Sequence, residues 1–211
     1  MLLIRSGEDG TKGSEFPFPS FVLDFDTLGD KNGMLFVPKG SFASHVLQQG
    51  IPDKPFLQWV REKFAKPDKI CIDIGANVGE FALAVAPGFS HTYCFHPSDV
   101  SELRCYLYAN IALYHMHDTI SVLNSSELER ISSKGNIGLL KITMAHLHLS
   151  FLKSILGIEV LQRSLPPILF RISGDDKNLQ HKKEVFAYIE SVGYAIIEIR
   201  GPKDMFLAIS K

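Results

Sequence analysis

Cysteine, excess charge and long apolar runs are all scarce in this sequence, and each scarcity excludes something. Among 211 residues there are three cysteines, Cys71, Cys94 and Cys105, with no Cys-x-x-Cys pair. That argues against a disulfide framework and against a structural zinc site. Cys71 and Cys94 stand inside apolar runs and read as core residues. Lys and Arg total 22 against 23 Asp and Glu, a formal charge of −1. Neither a basic nucleic-acid surface nor a polybasic membrane patch fits that balance. No run reaches the ~18 apolar residues that span a bilayer. The greasiest stretch, Ile137 to Leu161, is interrupted by Lys141, His146, His148, Lys153 and Glu159. The opening Met1-Leu2-Leu3-Ile4-Arg5 is too short for a signal-peptide core, and Glu8 and Asp9 follow at once. A soluble, cytoplasmic protein of a reducing compartment is expected, with no membrane span and no nucleic-acid partner.

What is present is an ordinary globular composition, 45% apolar and 21% charged. The length suits one domain with an extension. Histidine is the oddity: five of the eight (His96, His115, His117, His146, His148) fall between residues 96 and 148.

Residues 5 to 20 are rich in Gly, Ser, Pro and charge and read as an extended lead-in. Phe16, Phe18, Phe21 and Phe25 read as a cover over a sheet edge. Two apolar runs, 21–25 and 34–37, flank Asn32-Gly33 and predict a hairpin. Asp53, Pro55 and the spacing of Phe56, Trp59, Val60 and Phe64 predict a helix. From residue 69 strands and helices alternate. Strands are expected at 69–74, 92–95, 120–123, 137–142, 168–172, 194–199 and 205–209. Helices are expected at 80–86, from Asp99 onward through Leu103, Leu107 and Ile111, at about 145–162 and at 177–192. The turn Arg200 to Asp204 is too short for a parallel crossover, so the last two strands form an antiparallel pair. The fold class is α/β, a Rossmann-like doubly wound sheet ending in an antiparallel hairpin.

Cys71-Ile72-Asp73-Ile74-Gly75-Ala76-Asn77-Val78-Gly79-Glu80 stands where the first core strand meets its helix. Gly75 permits a tight turn and Gly79 a close approach of packed elements. Ligands of open α/β sheets bind at that carboxyl-edge crevice. The spacing is Asp-x-Gly-x-x-x-Gly, and Asn77 occupies the place of the central glycine that a dinucleotide pyrophosphate needs, which counts against NAD.

Asp73-Ile74-Gly75-Ala76-Asn77-Val78-Gly79 resembles the first motif of the FkbM-type S-adenosylmethionine (SAM)-dependent methyltransferases. The resemblance covers roughly residues 68 to 195. It continues at Phe95-His96-Pro97, at Leu107-Tyr108-Ala109-Asn110-Ile111, at Leu140-Lys141-Ile142 and at Val192-Gly193-Tyr194. It implies a sheet of the class I methyltransferase type over residues 66–211, with residues 1–65 covering the crevice. It also implies SAM as cofactor, with Asp73, Gly75, Ala76, Asn77 and Gly79 around its amino-acid and ribose parts. His96 stands where the family has a ribose-binding glutamate, and Asn124 or Ser125 where an adenine contact is expected. Where the family reads Lys-Ile-Asp-Val-Glu-Gly-Ala-Glu, this chain reads Lys141-Ile142-Thr143-Met144-Ala145-His146-Leu147-His148, without a carboxylate. His146 is the candidate general base, since imidazole accepts a proton near neutral pH. Lys141 and Thr143 complete the candidate catalytic set. No metal is expected, because the histidines show no ligand spacing with carboxylates or thiols.

The resemblance points to an O-methyltransferase acting on a hydroxyl of a sugar, glycan or other small acceptor. The alternative is a methyltransferase-like binding or scaffold module that lost catalysis with its carboxylates. Purely structural readings stand beside these: His146 and His148 as ordinary core or surface residues, and His115 and His117 as charges at a helix C-terminus.

Overall fold

The computed structural model describes residues 20–24, 34–38, 54–96, 101–133, 136–143, 147–172, 179–200 and 204–211. A separate antiparallel pair comes first: β1 (Ser20–Asp24) and β2 (Met34–Pro38), with Phe21 opposite Val37 and Leu23 opposite Leu35. This is the expected hairpin; its Asn32-Gly33 turn lies outside the described residues, as do Phe16, Phe18 and Phe25. Helix α1 (Lys54–Phe64) follows and buries Phe56, Leu57, Val60 and Phe64.

The remaining strands form one seven-stranded sheet. In chain order its elements are β3 (Ile70–Ile74), α2 (Glu80–Val85), β4 (His91–Phe95), α3 (Ser101–Leu113) and β5 (Ile120–Leu123). There follow α4 (Leu128–Ser132), β6 (Ile137–Ile142), α5 (Leu149–Leu156), α6 (Glu159–Ser164) and β7 (Ile168–Arg171). Helix α7 (Leu179–Ser191), β8 (Tyr194–Glu198) and β9 (Met205–Ser210) end the chain. Across the sheet the order is β5-β4-β3-β6-β7-β9-β8, parallel except for β9, which runs antiparallel to both neighbours. The antiparallel end pair expected from the short 200–204 turn is therefore present.

Strand periodicity divides the core. On β3, Cys71 faces the layer of α1, α2 and α3, together with Cys94, Leu139, Leu169 and Leu207. Ile70, Ile72 and Ile74 face the layer of α4 to α7, with Phe95, Leu140, Ile142 and Phe170. Both faces are covered, which is why the central strands read as nearly unbroken apolar runs. Asp73 and Lys141 are exceptions within those runs, and they share the first face.

The expected helix over 145–162 is two helices. Gly157 caps α5, and the next residue, Ile158, turns extended (φ −65°, ψ 121°) to start α6. A Cβ on Gly157 would sit 2.7 Å from the Lys153 carbonyl oxygen, so the break falls at the residue that has none. The 3-10 turn Ser125–Glu127 and α4 were not expected from the sequence; they are opened by Asn124 and Glu127, which cap each other reciprocally. Among the described residues no helix is long and apolar enough to cross a membrane.

Candidate active site

From β3 the chain moves outward through β4 to β5, then returns to β6 on the other side of β3. The order reverses beside β3: β3 and β6 stay paired to their carboxyl ends, and the helices that follow them pack on opposite faces of the sheet, the switch point at which open α/β sheets bind ligands.

The loop after β3 is shaped by three residues with positive φ: Gly75 (78°), Asn77 (50°) and Gly79 (95°). Asn is the non-glycine side chain that best tolerates this region. The Gly75 amide donates to the Phe95 carbonyl at 2.8 Å and the Gly79 amide to the Ala76 carbonyl at 2.8 Å. Gly79 is doubly constrained, because a Cβ there would meet Leu107 Cδ1 of α3 at 2.7 Å. Asn110 of α3, fully buried, fixes the loop from behind. Its Nδ2 donates to the Val78 carbonyl at 2.8 Å and to the Phe36 carbonyl at 2.9 Å, and its Oδ1 accepts from the Phe36 amide at 2.7 Å. One side chain thus joins the N-terminal hairpin to the loop.

Asp73 and Lys141 lie directly opposite each other on β3 and β6. The Lys141 ammonium donates to Asp73 Oδ1 at 2.6 Å, with both side chains almost wholly buried. The ammonium also lies 4.9 Å from the centroid of the Phe81 ring. The Asp73 carboxylate therefore already holds a cation through one oxygen. Its other oxygen, Oδ2, is buried without a partner.

Three more buried polar atoms without partners stand on the same edge: Glu80 Oε2, His96 Nε2 and Thr143 Oγ1. Buried polar atoms are normally satisfied, so this grouping marks a place where polar ligand atoms fit. Burial pushes the Glu80 carboxyl up, opposed by Lys141 and by a hydrogen bond from Asn77. Burial pulls the His96 imidazole down, opposed by Asp73 and the Asn77 backbone. Thr143 is anchored by its amide, which donates to the Ile74 carbonyl at 2.9 Å.

On the opposite face of the sheet, at the ends of β3 and β4, lies an open cleft of about 270 Å³. It is lined chiefly by Ile74, Phe95, Ser125, Leu128, Phe151 and Ile158. Ser125 borders this cleft and donates to the His96 carbonyl at 3.3 Å. Asn124 is turned to other duties, capping the 3-10 turn and accepting from Arg104 at 2.8 Å.

The structure thus brings Asp73, Gly75, Ala76, Asn77, Gly79, His96, Lys141 and Thr143 to one edge, with Ser125 alongside. His146, Met144 and Ala145 lie outside the described residues. His148 is exposed and precedes α5 without capping it by its side chain. His115 takes positive φ (53°) just past α3, where its own amide and that of Met116 close the helix onto Ala112 and Ile111. Glu80 received no role from the sequence, although an acid directly after Gly79 is a visible signal.

No known family profile matches the chain, and no curated protein matches it. Solved structures do match in fold. The precorrin-8w decarboxylase of Methanobacterium thermoautotrophicum has 13% identity and a TM-score of 0.56, over 77% of this chain and 92% of that one. The precorrin-6y C5,15-methyltransferase of Geobacter metallireducens has 12% identity and a TM-score of 0.53, over 75% and 90%. The methyltransferase domain of bacterial CtHen1 has 15% identity and a TM-score of 0.55, over 78% and 99%. The resemblance to FkbM-type enzymes rests on the motif residues alone. The architecture shared with these structures is a Rossmann-like sheet, which here ends in an antiparallel pair.

Proposed function

We propose that the chain is a SAM-dependent methyltransferase that binds its cofactor at the carboxyl edge of β3, β4 and β6. The observation that carries this is the grouping of Asp73 Oδ2, Glu80 Oε2, His96 Nε2 and Thr143 Oγ1, all buried and unpartnered around a loop of left-handed residues. These atoms fit SAM, whose methionine end and ribose offer both hydrogen-bond donors and positive charge. The Gly75–Gly79 loop and Asp73 would hold the amino-acid end. His96 would meet the ribose hydroxyls, as donor or acceptor according to tautomer. The apolar cleft beside Ser125 would take the adenine, leaving Asn124 as the cap of the following turn. Bound SAM supplies an electrophilic methyl group.

For the acceptor we take the class that the motif resemblance implies, a hydroxyl on a sugar or glycan. Transfer to a hydroxyl depends mainly on holding the two reactants in line, with proton removal as a further contribution. His146 remains the proposed base. Lys141 is assigned to positioning, because its ammonium holds Asp73 in place. A near-neutral chain suits an uncharged acceptor. Residues 1–65 are the proposed cover over it.

A second reading, a binding or scaffold module without turnover, is favoured by one observation: His96, held toward its neutral form by burial, stands where the resemblance expects a ribose-binding carboxylate. Titration calorimetry with SAM, followed by a radiolabelled methyl-transfer screen over monosaccharide acceptors, separates the readings. Binding with turnover supports the enzyme, binding without turnover the binding or scaffold module, and absence of SAM binding refutes the enzyme.

A further inference from the structure

We propose that Glu80 supplies the net negative charge of this crevice and thereby selects the cationic cofactor over its neutral product and over anionic dinucleotides. The inference rests on the reading of the crevice as a SAM site and adds a specificity residue to it. The charges of the cluster can be summed group by group. Asp73 and Lys141 cancel, joined at 2.6 Å. His96 is held toward its neutral form by burial, opposed by the Asp73 charge. Cys71 and Cys94, which face the same side from β3 and β4, are held as thiols by burial. Arg104 acts on His96 from the side of Asn124, to which it is bonded. What remains beside Asp73 and Lys141 is Glu80, whose carboxyl is pushed up by burial, opposed by Lys141 and by a hydrogen bond from Asn77. It is 8% exposed, lies close enough to feel both Asp73 and Lys141, accepts a hydrogen bond from Asn77, and keeps Oε2 without a partner.

A buried carboxylate with a free oxygen costs the fold stability, so its presence points to a ligand rather than to packing. Ionised, Glu80 leaves the cluster with one net negative charge. SAM carries one net positive charge, from sulfonium and ammonium against carboxylate. S-adenosylhomocysteine is neutral overall, and NAD is anionic. In a site largely cut off from water, a unit charge discriminates strongly among these three. The same arrangement favours departure of the neutral product after transfer.

The test is calorimetric affinity of the full chain for SAM, for sinefungin (whose amine replaces the sulfonium) and for S-adenosylhomocysteine. Wild type, Glu80→Gln and Glu80→Asp are compared. Glu80→Gln keeps shape and removes charge; it is expected to weaken SAM and sinefungin about tenfold or more, and S-adenosylhomocysteine about threefold at most. Glu80→Asp, which keeps the charge, is expected to restore part of the preference for the cationic ligands. An equal loss for all three ligands, or no loss for SAM, overturns the assignment to Glu80 while leaving the cofactor reading intact. A wild-type chain that binds none of the three overturns both.

Discussion

Lys141 shows how little of a buried side chain's role is visible along the chain. The residue lies within an apolar strand, 68 positions from Asp73, and only the adjacency of β3 and β6 brings the two to 2.6 Å. Replacing Lys141 by Met leaves a buried carboxylate uncompensated. Loss of about 3 kcal/mol or more of stability is expected in urea unfolding, with much of it recovered in the Asp73→Asn, Lys141→Met double variant. Glu80 behaves in the opposite sense. Burial raises its carboxyl above the ordinary value of 4.5, so the folded state binds more protons than the unfolded one. Its favourable contribution is fully present below about pH 4.5 and fades as pH rises through the folded value. Glu80→Gln, which does not titrate, is therefore expected to gain stability over wild type on going from about pH 4.5 to about pH 8 without ligand. Denaturant midpoints for both proteins at the two pH values check this; a constant difference would count against burial as the cause.

The elements were legible where local rules govern and illegible where tertiary contacts do. Gly75 and Gly79 announced the turn after β3, and both adopt positive φ. That Gly79 also faces Leu107 at 2.7 Å from a Cβ position needs the packing of α3. Gly79→Ala should cost about 1–3 kcal/mol, combining left-handed strain with overpacking. Trimming Leu107 to Ala in the same chain should relieve the packing part only. The single helix read across 145–162 is broken because Gly157 follows α5 with Ile158 already extended, a local signal outweighed in the sequence by continuous apolar periodicity. Asn110 is the contact that joins elements. Asn110→Ala removes its bonds to Phe36 and Val78. The Phe36 amide should then exchange faster with solvent in hydrogen-exchange measurements, while amides in the centre of β3 and β6 stay protected. Equal acceleration in both places would mean that Asn110 supports the whole core rather than the hairpin's attachment.

For the whole molecule, alternation of strands and helices was enough to anticipate a doubly wound sheet, and the short turn before β9 its reversed strand. Charge balance is a property of this scale too. A formal charge of −1 conceals a buried ion pair and a buried carboxylate gathered at one sheet edge. The histidine-rich stretch proved to mix roles: His96 is buried at that edge, while His115 ends a helix and His117 stands exposed beside Asp118. The acceptor is not legible at this scale, because nothing about a doubly wound sheet fixes its chemistry. The cofactor is open to direct measurement. Titration calorimetry of the full chain with SAM, S-adenosylhomocysteine and NAD tests the central claim. Saturable binding of SAM and S-adenosylhomocysteine at one site per chain, without binding of NAD, is the predicted result. NAD binding without SAM binding, or no binding of either SAM or its product, would contradict the account.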